Sequence, residues 1–222
     1  MEKTQLKSAI IGMVLGDGNL QKRKKCRNAC LRINHSIKQR EYLEWKAKII
    51  EEITSCKIRP YKVKIGDKEY DMINLSTPVH PYFTRLYERF YWHGRKTINA
   101  FIMKRLTPIG LAIWIMDDGY YDKKNGIQLA TYCFNEAEHW LMKWWIEKIF
   151  NIKVFVRSIP SKKRYYVQIG KRSTYQITKL VKDLSLPDCM KYKFSPYEEP
   201  PRIIRDEKTG RFVRYQYPRR VI

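Results

Sequence analysis

Two aspartates, Asp17 and Asp118, are each followed by a glycine, and each closes a run of large apolar residues. The runs read "AIIGMVLGDGNL" from Ala9 and "LAIWIMDDGYYD" from Leu111. Carboxylates at the end of a segment suited to burial repel one another when brought together, and so favour a cation. A helix C-terminus, with its negative dipole end, adds to that demand. With no Cys or His ligand expected nearby, the donors are hard oxygens. The matching ion is Mg²⁺, with Mn²⁺ as a substitute. Mg²⁺ held by one or two carboxylates and phosphate oxygens is a usual arrangement for phosphodiester chemistry. Asp-Gly is also a common turn, and one copy would say little. Two copies, each after a buried segment and each opening a similar run of elements, say more.

The elements that must position these acids can be read next. A helix carrying Ile10, Ile11, Met13 and Val14 is apolar nearly all round and has to be buried between two bodies. Ala9 and Gly12 in the first run, and Gly110 and Ala112 in the second, are small enough to let two such helices cross closely. Their C-terminal ends would then bring Asp17 and Asp118 together. Gly18 and Gly119 are expected to supply left-handed C-caps.

The stretches after the two Asp-Gly pairs are alike, so the chain reads as two copies of one unit. In the first copy a basic stretch leads to the alternating "ACLRINHS", the helical "REYLEWKAKIIEEI", the alternating "IRPYKVKIG" and "YDMINLST", and the helical "HPYFTRLYERFY". In the second come the strand-like "GIQLATYCF", an amphipathic helix "NEAEHWLMKWWIEKIF", a hairpin pair "IKVFVRS" and "RYYVQIG", and the helical "STYQITKLVKDL". Asn135 and Glu138 form a capping-box pattern, and Ser173 is expected to cap the last helix. Each copy is therefore α-β-β-α-β-β-α, and the fold class is α+β. The division expected is a first repeat over 1–94, a connecting segment over 95–106, a second repeat over 107–193 and a basic arm over 194–222. That arm is expected to be extended, with one turn at "EKTG".

Alternation assigns faces to the strands. Leu31 and Ile33 oppose Arg32, Asn34 and Ser36; Ile73 and Leu75 oppose Asn74 and Ser76. Val154 and Val156 oppose Lys153, Phe155 and Arg157; Val167 and Ile169 oppose Tyr166 and Gln168. One face of each sheet thus packs on helices while the other is polar and basic. A twisted ribbon of that kind can enter a DNA major groove, about 12 Å wide. A merely solvated sheet face is the plain alternative.

Charge favours the first reading. The chain has 222 residues and a formal net charge of +23, from 45 Lys and Arg against 22 Asp and Glu. Such an excess predicts an acidic partner, with nucleic acid ahead of an anionic membrane surface. No apolar run approaches the roughly 20 residues of a transmembrane helix. No secretory signal is expected at the N-terminus, because Asp17 interrupts its apolar stretch. The five cysteines are irregularly spaced, which fits free thiols in a reducing compartment. Cys26 and Cys30 lack a second ligand pair for zinc. His35, His80, His93 and His139 form no motif.

"IIGMVLGDG" (10–18) and "LAIWIMDDG" (111–119) resemble the two motifs of the LAGLIDADG homing endonucleases, in their monomeric, intron-encoded form with both motifs in one chain. The second copy keeps the Leu-Ala start and the Asp-x-Gly end; it departs at Ile113, Trp114 and Met116, and the first departs at Leu15 and Gly16. The resemblance implies saddle-shaped antiparallel sheets astride DNA, and a metal-dependent endonuclease. It implies hydrolysis of one phosphodiester per strand of a long, non-palindromic target, with cohesive 3′ overhangs. It makes Asp17 and Asp118 the catalytic metal-binding acids. The candidate metal site takes in Gly16 and Asp117 just before them, with no ligand role assigned to the Asp117 side chain. It also implies a catalytic lysine from each half: Lys96 in "RKTI" and Lys193 in "KYKF", with Lys191 close by. For either lysine the bland reading is a phosphate contact or a solvated charge.

The DNA-contacting residues expected are Lys22, Lys24, Arg32, Asn34, Ser36, Lys62, Asn74 and Ser76 in the first half. In the second they are Gln128, Tyr132, Lys153, Arg157, Arg164, Tyr166 and Gln168. Arginine can read guanine and Asn or Gln adenine, at about 1–3 kcal/mol per good pair. The expected partner is double-stranded DNA bound by a monomer, with intron RNA as a further partner and no membrane. The expected compartment is the one that holds the encoding genome: a cytoplasmic nucleoid or an organelle matrix. Two rivals keep the same fold: an RNA maturase that assists splicing, and a DNA-binding protein that does not cut.

Overall fold

The computed structural model describes residues 1–194 and 202–216. The first half runs α1 (Lys3–Leu15), β1 (Asn19–Gln21), β2 (Cys30–Ser36), α2 (Arg40–Ile50), β3 (Lys57–Ile65), β4 (Lys68–Ser76) and α3 (Pro81–Phe90). A short hairpin, β5 (Tyr91–Trp92) and β6 (Arg95–Lys96), and the one-turn helix α4 (Ala100–Met103) lead to the second half. That half runs α5 (Pro108–Asp118), β7 (Gly119–Asp122), β8 (Gly126–Leu129), α6 (Glu136–Phe150), β9 (Val154–Ile159), β10 (Arg164–Ile169) and α7 (Lys171–Val181). A 3₁₀ segment, Asp188–Phe194, follows. The two halves repeat one order of elements, and their antiparallel sheets repeat one topology: β1-β2-β4-β3 and β7-β8-β10-β9. The chain is thus a mixed helix and sheet protein in two similar halves.

The halves are joined by α1 and α5. Residues Ser8 to Leu15 of α1 and Ile109 to Met116 of α5 are all buried. A Cβ added to Gly12 would stand 2.2 Å from the Gly110 carbonyl oxygen. One added to Gly110 would stand 2.3 Å from Ser8 Oγ. The backbones therefore touch where they cross, as the small residues predict, and no larger side chain fits. Burying both apolar helices against each other removes large side chains such as Trp114 from water, at about 25 cal/mol per Å² of apolar area.

The glycines after the acids act differently from the expectation. Neither has a left-handed backbone: Gly119 has φ −77°, and Gly18 is not among the residues with positive φ. Instead a Cβ at Gly18 would lie 2.4 Å from Met13 O, and one at Gly119 would lie 2.4 Å from Ile115 O. The chain folds so tightly under the last helical turn that only glycine clears it.

Other local signals are also visible in the fold. Asn135 and Glu138 form the expected capping box, with Asn135 Oδ1 accepting from Glu138 N at 2.9 Å. Ser173 does not cap α7, which begins two residues earlier. Its hydroxyl instead donates to Lys153 O at 2.7 Å and accepts from Lys153 N at 3.0 Å. In the C-terminal arm the expected turn is present, with Gly210 at φ +66°. It joins two strands that pair, β11 (Arg202–Arg205) and β12 (Phe212–Gln216), so the described part of the arm is a hairpin.

Candidate active site

Asp17 and Asp118 lie where the ends of α1 and α5 meet. The backbone N–H of Asp17 donates to Asp117 Oδ2 at 3.2 Å, tying the two motifs directly. Burial, then neighbouring negative charge, push both acids upward: Asp17 to about 6 and Asp118 to about 7. For Asp17 the neighbour is Asp117; for Asp118 it is Asp17, then Asp117. Each is a carboxylate short of positive charge.

Three lysines surround this point, and their ammonium groups are already engaged. Lys96 Nζ donates to Val14 O at 2.7 Å, Gly18 O at 3.1 Å and Gly16 O at 3.3 Å, gathering the carbonyls at the end of α1. Lys193 Nζ donates to Gly119 O at 2.6 Å, at the matching point of α5. Burial lowers the pKa of both, opposed by the nearby acids. Lys191, the neighbour from which sequence could not separate Lys193, pairs with Asp188.

The third lysine was not expected. Lys46, on α2, is fully buried, and its ammonium lies 2.6 Å from Asp117 Oδ1 and 3.1 Å from His35 Nε2. Tyr42, one turn earlier, donates its hydroxyl to the same Asp117 oxygen at 2.7 Å. The Asp117 side chain reaches this pocket because Gly16 lies opposite it: a Cβ on Gly16 would come within 2.4 Å of Asp117 Cβ. His35 was set aside in sequence as part of no motif, and no histidine was expected near the acids. The structure corrects this, with His35 Nδ1 3.6 Å from Asp17 Oδ2. Burial first, then the Lys46 charge, lower its pKa to about 4, so the ring is neutral. Because Nε2 accepts from the ammonium, the proton belongs on Nδ1, facing Asp17. Sequence carried a signal for both residues. Lys46 lies among Tyr42, Leu43, Ala47 and Ile50 on the buried stripe of α2, and His35 shares strand parity with Leu31 and Ile33.

Asp17, His35 and Asp117 bring ligand atoms within 4.8 Å of one another. Lys46 already stands beside two of these three, and a divalent ion there would sit against an ammonium. Asp17 and Asp118 are the better donor pair: oxygen-only and undercompensated. Their character fits a hard divalent ion.

The expected DNA-contacting residues divide by position. On the uncovered side of the first sheet, register aligns Arg32 with Ser76 and Asn34 with Asn74, and Asn34 Oδ1 accepts from Asn74 Nδ2 at 2.8 Å. Arg59 and Tyr61, missed in sequence, share that face; the Tyr61 hydroxyl donates to Asn34 Oδ1 at 3.1 Å. Ser36 lies on the same side and accepts from Lys38 N. Lys22 and Lys24 are exposed between β1 and β2. Lys62 does not join this face. It has the parity of Ile58 and Pro60, opposite to Arg59, and pairs with Glu69 at 2.7 Å.

In the second sheet Lys153, Arg157 and Arg164 are exposed. Tyr132 and Tyr166 meet edge to face, and the Gln128 amide donates to the Tyr132 hydroxyl. Gln168 was expected on the open face but is buried, at 7% exposure. Its amide donates to Asn125 O at 2.9 Å and Ile127 O at 3.1 Å, fixing the neighbouring strand rather than reaching outward.

Two similar halves, joined by crossed helices that end in paired carboxylates beneath two polar sheet faces, define a nuclease-like scaffold. A profile of the LAGLIDADG DNA endonuclease family matches residues 7–177, and the chain belongs to that family. Among curated relatives, cytochrome b mRNA maturase bI2 of Debaryomyces hansenii is 28% identical over 190 residues, covering 84% of this chain and 72% of its own length. DNA endonuclease I-ChuI of Chlamydomonas applanata is 26% identical over 207 residues, covering 86% of this chain and 94% of its own. Protein RecA of Mycolicibacterium flavescens is 33% identical over 125 residues, and the match covers only 28% of that protein. Among solved structures, homing endonuclease I-WcaI bound to its DNA recognition sequence aligns with TM-score 0.77 at 23% identity, over 87% of both chains. I-DmoI in complex with DNA and Mn aligns with TM-score 0.52 at 17% identity, over 82% of this chain and 99% of that one.

Proposed function

We propose that the protein is a site-specific double-strand DNA endonuclease that hydrolyses one phosphodiester in each strand of a long, non-palindromic target and leaves 3′ overhangs. One observation carries this reading: two carboxylates, Asp17 and Asp118, at the meeting point of two halves, with the Asp17 backbone tied to Asp117 and Arg32, Asn34, Asn74 and Ser76 aligned on an uncovered sheet face. Because the halves differ in sequence, the target need not be symmetric, as it would for a homodimer.

Divalent ions, Mg²⁺ with Mn²⁺ as a substitute, would supply an activated water and stabilise the leaving 3′ oxygen. Asp17 and Asp118 would hold them. Lys96 and Lys193 anchor the backbone that carries those acids, and their ammonium groups stand ready to offset charge developing at phosphate. Asn34, Asn74, Arg59 and Arg32 would read base edges in one half-site, and Arg157, Tyr166 and Gln128 in the other. Exposed cations beside the sheet faces, such as Lys22 and Lys24, would give salt-dependent affinity for phosphates.

The test uses a plasmid that carries the uninterrupted form of the host site. Wild-type protein with Mg²⁺ should linearise it, while Asp17→Asn and Asp118→Asn should bind and not cut. Full cleavage by either variant would remove the assigned metal role. Similarity to the mRNA maturases supports a second reading, in which this chain assists splicing and does not cut. Intact plasmid together with accelerated intron splicing would favour it.

A further inference from the structure

Away from the paired acids, a cleft of about 600 Å³ opens between α1, α3, α4 and the segment following α4. It is lined by Lys7, Arg85, Arg89 and Arg105, with Phe101 and Tyr82 among its apolar and aromatic walls. These helices cover the inner face of the first sheet: α3 buries Phe83, Leu86 and Phe90 against the core and turns Arg85 and Arg89 outward. A duplex on the open sheet face would lie a sheet and a helical layer away, about 10 Å per layer. The cleft is therefore a separate surface.

Its positive charge is not paired off among the described residues. Among the described residues, no salt bridge joins Arg85, Arg89, Arg105 or Lys7 to an acid. The one acid in the lining, Glu88, instead faces Lys22 at 3.8 Å. Arg85 and Arg89 are four apart on one helix, where like charges disfavour each other. Two of the guanidinium groups lie over one aromatic ring: Arg105 is 3.5 Å and Arg89 4.6 Å from the Phe101 ring centroid. Arg105 is also tied to Phe101 O at 2.7 Å. Guanidinium planes fixed in this way can stack on an unstacked base while their N–H groups reach phosphate. A concave space of this size suits a splayed nucleotide, whereas a rigid duplex is convex and does not enter it.

We propose that this cleft is a second nucleic-acid site that takes a single-stranded polynucleotide: phosphates on Lys7, Arg85 and Arg89, and a base on the Arg105–Phe101 stack. Such a site is independent of DNA cleavage, and losing it would leave the nuclease reading untouched.

The test is fluorescence anisotropy of a labelled 12-nucleotide single strand with the whole protein, without divalent metal and under excess mixed-sequence duplex that occupies the sheet faces. Arg85→Ala with Arg89→Ala should weaken binding at least about tenfold. It should also lower the slope of log affinity against log salt by about 1.4, at about 0.7 per lost phosphate contact on single strands. Lys179→Ala with Lys182→Ala, the same charge change at the end of α7, should leave both unchanged, and plasmid cleavage should be unaffected in either pair. RNA and DNA strands of one sequence are compared to identify which source the cleft prefers; loss of binding to either supports the site. Equal losses in the two double variants would overturn it. So would a free mononucleotide at equal phosphate concentration competing as well as the strand, which would make the cleft a small-ligand site.

Discussion

The two halves share an order of elements, yet they meet the central axis with different chemistry. Counted from the first residue of each helix, Lys46 of α2 corresponds to Met142 of α6, and Tyr42 to Glu138. Strand register likewise matches His35 to Thr131. The first half thus brings a buried polar group, His35, Tyr42 and Lys46, to the axis, and its anionic partner Asp117 comes from the second half. At the matching places the second half turns to itself and to the connector: Thr131 Oγ1 meets His139 Nε2 at 2.9 Å, and Glu138 binds Arg95 and the Ile98 backbone of the connecting segment. Met142 is simply core. A repeat can therefore keep its fold while one half comes to depend on a residue of the other. The position before the acid shows this most clearly, since glycine in one half makes room for aspartate in the other.

That contrast can be attacked at several points. The largest effect on stability should come from Lys46→Met, which leaves the Asp117 carboxylate buried without its ammonium and should cost about 3–5 kcal/mol in denaturant unfolding. Met142→Leu at the matching position should cost under about 1.5 kcal/mol. Similar losses in both would mean that the polar group matters only as packing. Next come the two axial lysines. Lys96→Met and Lys193→Met should each slow cleavage by about 10²-fold, the cost of losing one electrostatic stabiliser. Only Lys96→Met should also lower the melting temperature, because Lys96 alone gathers three carbonyls, from the last turn of α1 to Gly18. Lys191→Ala, a surface change, should stay within about 0.5 kcal/mol of wild type.

Gly16→Ala should cost about 1–3 kcal/mol through overpacking. Combining it with Asp117→Gly should give a strongly non-additive result, since the two changes share one space. Simple additivity would separate them. A smaller effect at the axis depends on pH. Asp17 and Asp118 have folded values raised above the ordinary 3.8, so their contribution to stability is complete below about pH 4 and is lost as pH rises through about 6 and 7. In metal-free protein, Asp118→Asn should therefore gain on wild type between pH 5 and 8. A gain of about 1 kcal/mol would appear as about 2–4 °C in thermal melts. Saturating Mg²⁺ should erase the difference.

Much of this was legible in the sequence because it is local. Alternation marks faces within a strand, apolar periodicity marks the buried helices, and Asn135 with Glu138 marks a cap, all within a few residues. The small residues at Gly12 and Gly110 also foretell a close crossing. The Lys46–Asp117 pair was not legible, because its partners become neighbours only once the axis forms. A lysine on the apolar stripe of α2 and a histidine on the covered side of β2 were the available hints. Gln168 misled for a related reason. Parity shows which side of a sheet a residue occupies, but not whether neighbouring loops have already closed over it.

The fit between Gly16 and Asp117 also limits how this chain could be rebuilt. Severed at the connector and reassembled as a homodimer of its second half, it would force two Asp117 side chains into a space shaped for one. Two copies of the first half would bury a pair of ammonium groups with no carboxylate to receive them. Neither symmetric relative is open to it without repair at this one contact, and the single-chain form is in that sense locked.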